Sequence, residues 1–195
     1  MSWQKSQSVL RMEARVAADP HDTDAWSALL AEAVSHQPDD FRSLFDACLT
    51  AVPMLATAWR QWIFAEMHAG QPAAVEGIFE RCLLKCPQLE LWTLYMQYMR
   101  QEKLAARTEV LQAFEVLLEA VGTDPASGPL WLEYVQLTRD GTEASASLSN
   151  AQINDIRRAY QGALLAPVIG LEGVAREYEE WEARLHTPPP PPPLP

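Results

Sequence analysis

The chain has 195 residues, 48% of them hydrophobic, enough to bury a sizeable core as one domain, which excludes disorder throughout. Its 15 basic and 26 acidic residues give a formal net charge of −11, and the basic ones are scattered singly or in pairs, a poor footprint for direct contact with a nucleic-acid backbone. Three cysteines without paired spacing fit a reducing compartment rather than a disulfide framework, and neither a signal-peptide core nor a run of about 18 uninterrupted apolar residues is legible.

An opening helix is expected near residues 6–18, after which Pro20, Asp22 and Asp24 lead into Trp26. From there apolar residues recur at helical spacing. Trp26, Leu29, Leu30, Ala33 and Val34 share one face, and Phe41, Leu44, Phe45, Cys48, Leu49 and Val52 share another. Asp39 and Asp40 stand where carboxylates meet the free N–H groups that open the second of these helices. A second pair begins at Trp59 and repeats the offsets with Val75, Ile78, Phe79, Cys82, Leu83 and Cys86, Pro72 following Gly70 at a first-turn position. A third begins at Trp92 and continues with Val110, Leu111, Phe114, Leu117, Leu118 and Val121. A fourth begins at Trp131. Within it the small polar residues 138–150 read as an exposed loop, and Ser149 with Gln152 as a capping box ahead of Tyr160. Pro53, Pro87 and Pro167 close helices, because a proline nitrogen has no hydrogen to donate and its ring disfavours helix before it. The last helix turns Val174, Tyr178, Trp181 and Leu185 inward, and the run Pro188 to Pro193 favours extended polyproline II. The expected organisation is a helical array over residues 1–185 and a disordered proline-rich tail over 186–195.

Trp26, Trp59 and Trp92 are each 33 residues apart and Trp131 follows 39 later, while Phe45, Phe79 and Phe114 are spaced by 34 and 35, with Tyr160 a further 46 on. A fixed period in the thirties marks stacked repeats, each too small to bury both of its own faces. The fold predicted is all-α, a right-handed α–α superhelix of about four and a half helix hairpins.

Each hairpin resembles the HAT (half-a-TPR) repeat, whose first helix carries Trp-x-x-aromatic and often a Glu, and whose second carries an aromatic followed by proline. The matching residues are Trp59-Arg60-Gln61-Trp62 with Glu66, Trp92-Thr93-Leu94-Tyr95 and Trp131-Leu132-Glu133-Tyr134. Within that group Asp24–Leu30, Ile78–Lys85 running on to Trp92, Ile156–Gln161 before Pro167, and Leu171-Glu172 leading to Arg176-Glu177-Tyr178 resemble the suppressor-of-forked family, HAT-repeat scaffolds of cleavage stimulation factor. The likeness covers roughly residues 10–185, the N-terminal half of that family's HAT array. It implies a non-catalytic scaffold in nuclear pre-mRNA 3′-end cleavage and polyadenylation, with other subunits of that machinery as protein partners, RNA reached only indirectly and no membrane contact. Homodimerisation belongs to the family's second HAT half and is not carried over. One departure stands out: a fifth tryptophan is due at 175, where the chain has Ala175, as expected of a weakened or capping repeat.

The residues singled out are the aromatics of the repeat core: Trp26, Phe45, Trp59, Phe79, Trp92, Tyr95, Phe114, Trp131, Tyr134, Tyr160 and Tyr178. Read as base-stacking platforms they would suit single-stranded RNA, but their place in the apolar stripes favours core. Cys82 and Cys86 could ligate a metal from one helix face; Cys48 and Cys82 fall at the same repeat position as Leu117 and read better as small core hydrophobes. His21, His36, His68 and His186 stand apart from one another. Glu177, Glu179, Glu180 and Glu182 read as a solvated helix face, and Arg81, Lys85, Arg139, Arg157 and Arg158 as solvated or ion-paired. The proline run could recruit an SH3- or WW-type domain, though no flanking basic residue orients such a ligand. No nucleophile–base–orienter set, phosphate-binding glycine loop or metalloprotease motif is legible, so no catalytic residue, cofactor or metal is expected. Alternatives are a HAT scaffold of splicing or ribosome biogenesis, a TPR-like adaptor, or an enzyme-associated role.

Overall fold

The computed structural model describes residues 6–36, 41–140 and 148–186. Among them ten α-helices follow one another and no strand occurs: α1 (Gln7–Ala18), α2 (Thr23–His36), α3 (Phe41–Ala51), α4 (Ala56–His68), α5 (Pro72–Lys85), α6 (Leu89–Gln101), α7 (Arg107–Val121), α8 (Gly128–Asp140), α9 (Asn150–Leu165) and α10 (Val174–His186). The chain is thus an all-α repeat: α1 opens it, four helix pairs follow, and α10 is the first half of a fifth. It forms two compact units, Met1–Tyr95 and Met96–Pro195, with the boundary inside α6.

Local chemistry accounts for where helices begin. Ser6 caps α1 by accepting the Val9 N–H at 3.2 Å. Before α2, the Asp22 carboxylate accepts the Ala25 N–H at 2.9 Å and receives two bonds from Arg15, so a helix start and its neighbour are fastened by one side chain. Ser149 and Gln152 form the capping box of α9. Gly70 has φ +64°, a left-handed turn open to glycine at little cost, and Pro72 then supplies a preset first-turn φ to α5. Helix ends agree as well: α3, α5 and α9 each end two positions before Pro53, Pro87 and Pro167.

In the first unit Leu29, Leu30, Phe45, Leu49, Trp59, Ile63 and Phe79 are almost wholly removed from water. In the second, Val135, Ile156, Ala159, Tyr160, Ala163, Val174 and Trp181 make one cluster, against which Trp131, Tyr134 and Tyr178 pack. Each large side chain so buried contributes about 1.5–3 kcal/mol, the main force holding otherwise independent helices.

The exposed loop expected at 138–150 is corrected at its start, while residues 141–147 lie outside the described residues. α8 runs on through Thr138, Arg139 and Asp140, and Thr138 is buried. The Thr138 hydroxyl donates to the Tyr134 carbonyl at 2.7 Å, and the Arg107 guanidinium takes the Leu137 and Thr138 carbonyls that the helix end leaves free. Small polar composition suggested a loop, but the bonds from Arg107, on another helix, extend α8 past that point. Asp39, Asp40, Trp3 and the proline run lie outside the described residues.

Candidate functional site

In a repeat protein the functional surface is set by the joints between successive helices. Each joint begins with the tryptophan that opens the first helix of a pair. Trp26, Trp59 and Trp92 are buried, and Trp131 is partly buried. The Trp26 and Trp59 indole N–H groups donate to the Pro20 and Pro53 carbonyls, each six residues back, at 2.9 and 2.8 Å. Trp131 instead reaches the Gly122 carbonyl at 2.9 Å. Trp92 has no acceptor: the carbonyl six residues back, on Cys86, is taken by the Gln88 N–H at 2.7 Å.

Three residues after Trp59, Trp92 and Trp131 a second aromatic meets the aromatic of the preceding helix, whereas after Trp26 that position is Leu29. Trp62 stacks on Phe45 with centroids 5.5 Å apart, Tyr95 tilts against Phe79 at 5.2 Å, and Tyr134 against Phe114 at 5.9 Å. At the last joint Tyr178 stacks on Tyr160 at 5.1 Å. Helical spacing explains this, since positions i and i+3 lie side by side and present one wide aromatic face. Trp181, at the next such position of α10, packs on Tyr160 at 5.9 Å. It provides the second ring that Ala175 does not, so the final joint keeps an aromatic pair displaced along the helix.

Charge reinforces the rings at two recurring positions. Arg42, three residues before Phe45, makes a bidentate bond to Glu66 at 2.6 and 2.8 Å, and Arg157, three before Tyr160, makes the same fork to Glu182 at 2.5 and 2.7 Å. Glu66 and Glu182 occupy the same place in their helices, seven residues after position 59 and 175 respectively. Arg100 and Arg139, each eight residues after its tryptophan, pair with Glu133 and Glu177, and Arg139 also donates to the Tyr160 hydroxyl at 2.9 Å. Glu66 is the buried member: it also accepts the Trp62 indole N–H at 3.1 Å, and the Arg42 guanidinium beside it holds its carboxyl below the usual range. Arg81 pairs with Asp46 at 2.6 Å while its guanidinium lies over Trp59 and Trp62.

These pairs correct one expectation. Of the α10 glutamates read as a solvated face, Glu179 and Glu180 are exposed, but Glu177 and Glu182 flank the buried Tyr178–Trp181 stripe and cross to α8 and α9. A count of acidic residues missed this; aligning the charges by repeat position finds it. The thiols are buried, and burial pushes Cys48 and Cys82 up to about 12 and raises Cys86, whose S–H points to the Met54 carbonyl at 3.4 Å. Burial that favours the neutral S–H makes these thiols weak nucleophiles at neutral pH. Burial likewise raises Tyr134 and Tyr160, leaving them neutral hydroxyls that hydrogen-bond across the joints.

The profile of the suppressor of forked protein family matches residues 7–188, from the first helix through the last. The chain belongs to that family. It is 31% identical over 182 residues to the protein suppressor of forked of Drosophila melanogaster, covering 91% of this chain and 24% of that protein. The mRNA 3′-end-processing protein rna14 of Schizosaccharomyces pombe is 31% identical over 173 residues, 86% of this chain and 24% of that one. Cleavage stimulation factor subunit 77 of Arabidopsis thaliana is 30% identical over 169 residues, 85% of this chain and 23% of that one. The chain therefore spans about a quarter of the length of these curated relatives. The aromatic joints and their arginine forks lie wholly inside the portion matched to the suppressor of forked protein family.

Proposed function

We propose that this chain is a non-catalytic protein–protein interaction scaffold acting in nuclear pre-mRNA 3′-end cleavage and polyadenylation. Its partners are other subunits of that machinery, and RNA is reached only through them. The observation that carries the reading is the family match over residues 7–188, together with relatives named for mRNA 3′-end processing and cleavage stimulation. The geometry supports the scaffold part. The core aromatics Trp26, Phe45, Trp59, Phe79, Trp92, Tyr95, Phe114, Trp131, Tyr134, Tyr160 and Tyr178 are engaged in holding helices together, which leaves the outward faces to bind. The buried thiols, held as S–H, are poor nucleophiles.

The test is affinity capture of the intact chain from nuclear extract, read by mass spectrometry. Subunits of the cleavage and polyadenylation machinery are expected as the leading specific proteins. Recovery of spliceosomal or nucleolar assemblies in their place would transfer the scaffold to another branch of RNA processing.

A further inference from the structure

We propose that the second compact unit carries a groove for an extended peptide segment of a partner, bearing an aliphatic side chain next to basic ones. Two neighbouring depressions of about 460 and 320 Å3 share Leu132 and Gly170 in their walls. The larger is apolar, lined by Pro125, Pro129 and Ile169, and Ile169 is 72% exposed, an aliphatic side chain left open to water. The smaller is lined by Gly173, Val174, Arg176, Glu177 and Glu180. The walls are fixed by backbone: the Ile169 N–H donates to the Pro125 carbonyl at 3.1 Å, and a Cβ on Gly128 would come within 1.9 Å of the Ile169 carbonyl oxygen. The groove is therefore built into the fold, which lowers the ordering cost of binding.

Charge decides the occupant. Asp124 and Glu172 are exposed carboxylates adjoining the lining residues at either end, and Glu180 lies in the wall. Glu177 in the same wall is paired with Arg139, and Glu180 lies 3.9 Å from both Arg176 and Arg184, exposed contacts too loose to neutralise it, so the four carboxylates Asp124, Glu172, Glu177 and Glu180 face three guanidiniums. The rim is net negative on a chain of net charge −11, so basic segments are attracted and acidic ones repelled. In an extended peptide residues i and i+2 point the same way, about 6.5 Å apart, so one aliphatic and one basic side chain can enter neighbouring depressions. A Cβ on Gly173 would meet no atom within 4 Å, so the second depression is open at that point.

This inference deepens the scaffold reading and rests on it, by naming the chemistry of a partner. It is tested by titrating the isotope-labelled full chain with a synthetic octapeptide, Leu-Ser-Lys-Ser twice over, which when extended sets leucine and lysine two residues apart on one face, followed by amide chemical shifts of the 8 glycines. Shifts centred on Gly170 and Gly173 are expected, with micromolar affinity. Replacing the leucines with serine, or introducing Ile169→Lys or Gly173→Leu without loss of melting temperature, should weaken binding about tenfold or more. Equal binding of the serine peptide, indifference to both substitutions, shifts confined to Gly70 and Gly77, or no binding would overturn the groove. Because the peptide is measured directly, such a failure is distinct from failure to capture 3′-end-processing subunits.

Discussion

Trp59 and Trp92 hold equivalent places in successive repeats, yet only one indole N–H is bonded. Trp59 donates to the Pro53 carbonyl, whereas Trp92 is buried with its donor unmatched. A buried unpaired donor costs about 1–3 kcal/mol, so part of what the Trp92 ring gains by burial is lost again. Trp→Phe at each site removes similar apolar area, but at Trp59 it also leaves the Pro53 carbonyl without its donor. Trp59→Phe should therefore be the more damaging by about 1 kcal/mol in urea unfolding, and equal losses would show that the indole bond contributes nothing. Glu66 gives a second test. Its carboxylate is buried and triply bonded, and its folded pKa lies below that of the unfolded chain. The resulting stability is complete above the ordinary glutamate value of about 4.3 and is lost as pH falls through the lower folded value. Glu66→Gln should cost about 2 kcal/mol at pH 7, and the gap to the native chain should close below about pH 4. Glu90→Gln, at a half-exposed pair with Arg60, should change little at either pH.

Among the helices, two glycines separate intrinsic preference from packing. Gly77 sits inside α5, and a Cβ added there would meet nothing within 4 Å, so Gly77→Ala should gain up to about 1 kcal/mol from helix propensity alone. Gly162 sits inside α9 with the Trp131 ring 2.9 Å from where its Cβ would go. Gly162→Ala must push a core-packed ring aside at a cost of about 1–3 kcal/mol, so the same substitution should lower the melting temperature there. Opposite signs for the two variants are expected in thermal unfolding; a gain at both would mean Trp131 yields freely. Packing of this kind also bounds what the sequence could disclose. Tryptophan spacing, apolar stripes and proline stops located the helices because each is a local signal of period or backbone chemistry. The end of α8 was misplaced because Thr138 and Arg139 are held in helix by Tyr134, Tyr160, Arg107 and Glu177, partners as far as 38 residues away. The Arg42–Glu66 and Arg157–Glu182 forks were illegible for the same reason: each fixes a pair of helices across 24 or 25 residues, and no local pattern declares which charges will meet.

For the molecule as a whole, the balance of charge and the use made of its aromatic rings bear on how it meets RNA. Binding to single strands draws on two sources, release of counterions by lysines and arginines along the backbone and stacking of bases on open aromatic faces, each stacked base adding about 1–3 kcal/mol. Neither is well provided for here. The formal net charge is −11, and Arg15, Arg42, Arg60, Arg81, Arg100, Arg139 and Arg157 are engaged with carboxylates. The rings of Phe45, Trp59, Phe79, Phe114 and Tyr160 are buried against other rings. A fluorescent oligouridine titrated at physiological salt should bind the chain more weakly than the roughly 10⁻⁴ M at which non-specific binding by basic proteins begins. Lowering the salt should add little affinity, since few counterions would be released. Nanomolar binding with quenching of tryptophan emission would mean that the joints open to admit bases, and the indoles would then have to be counted as ligand contacts as well as core.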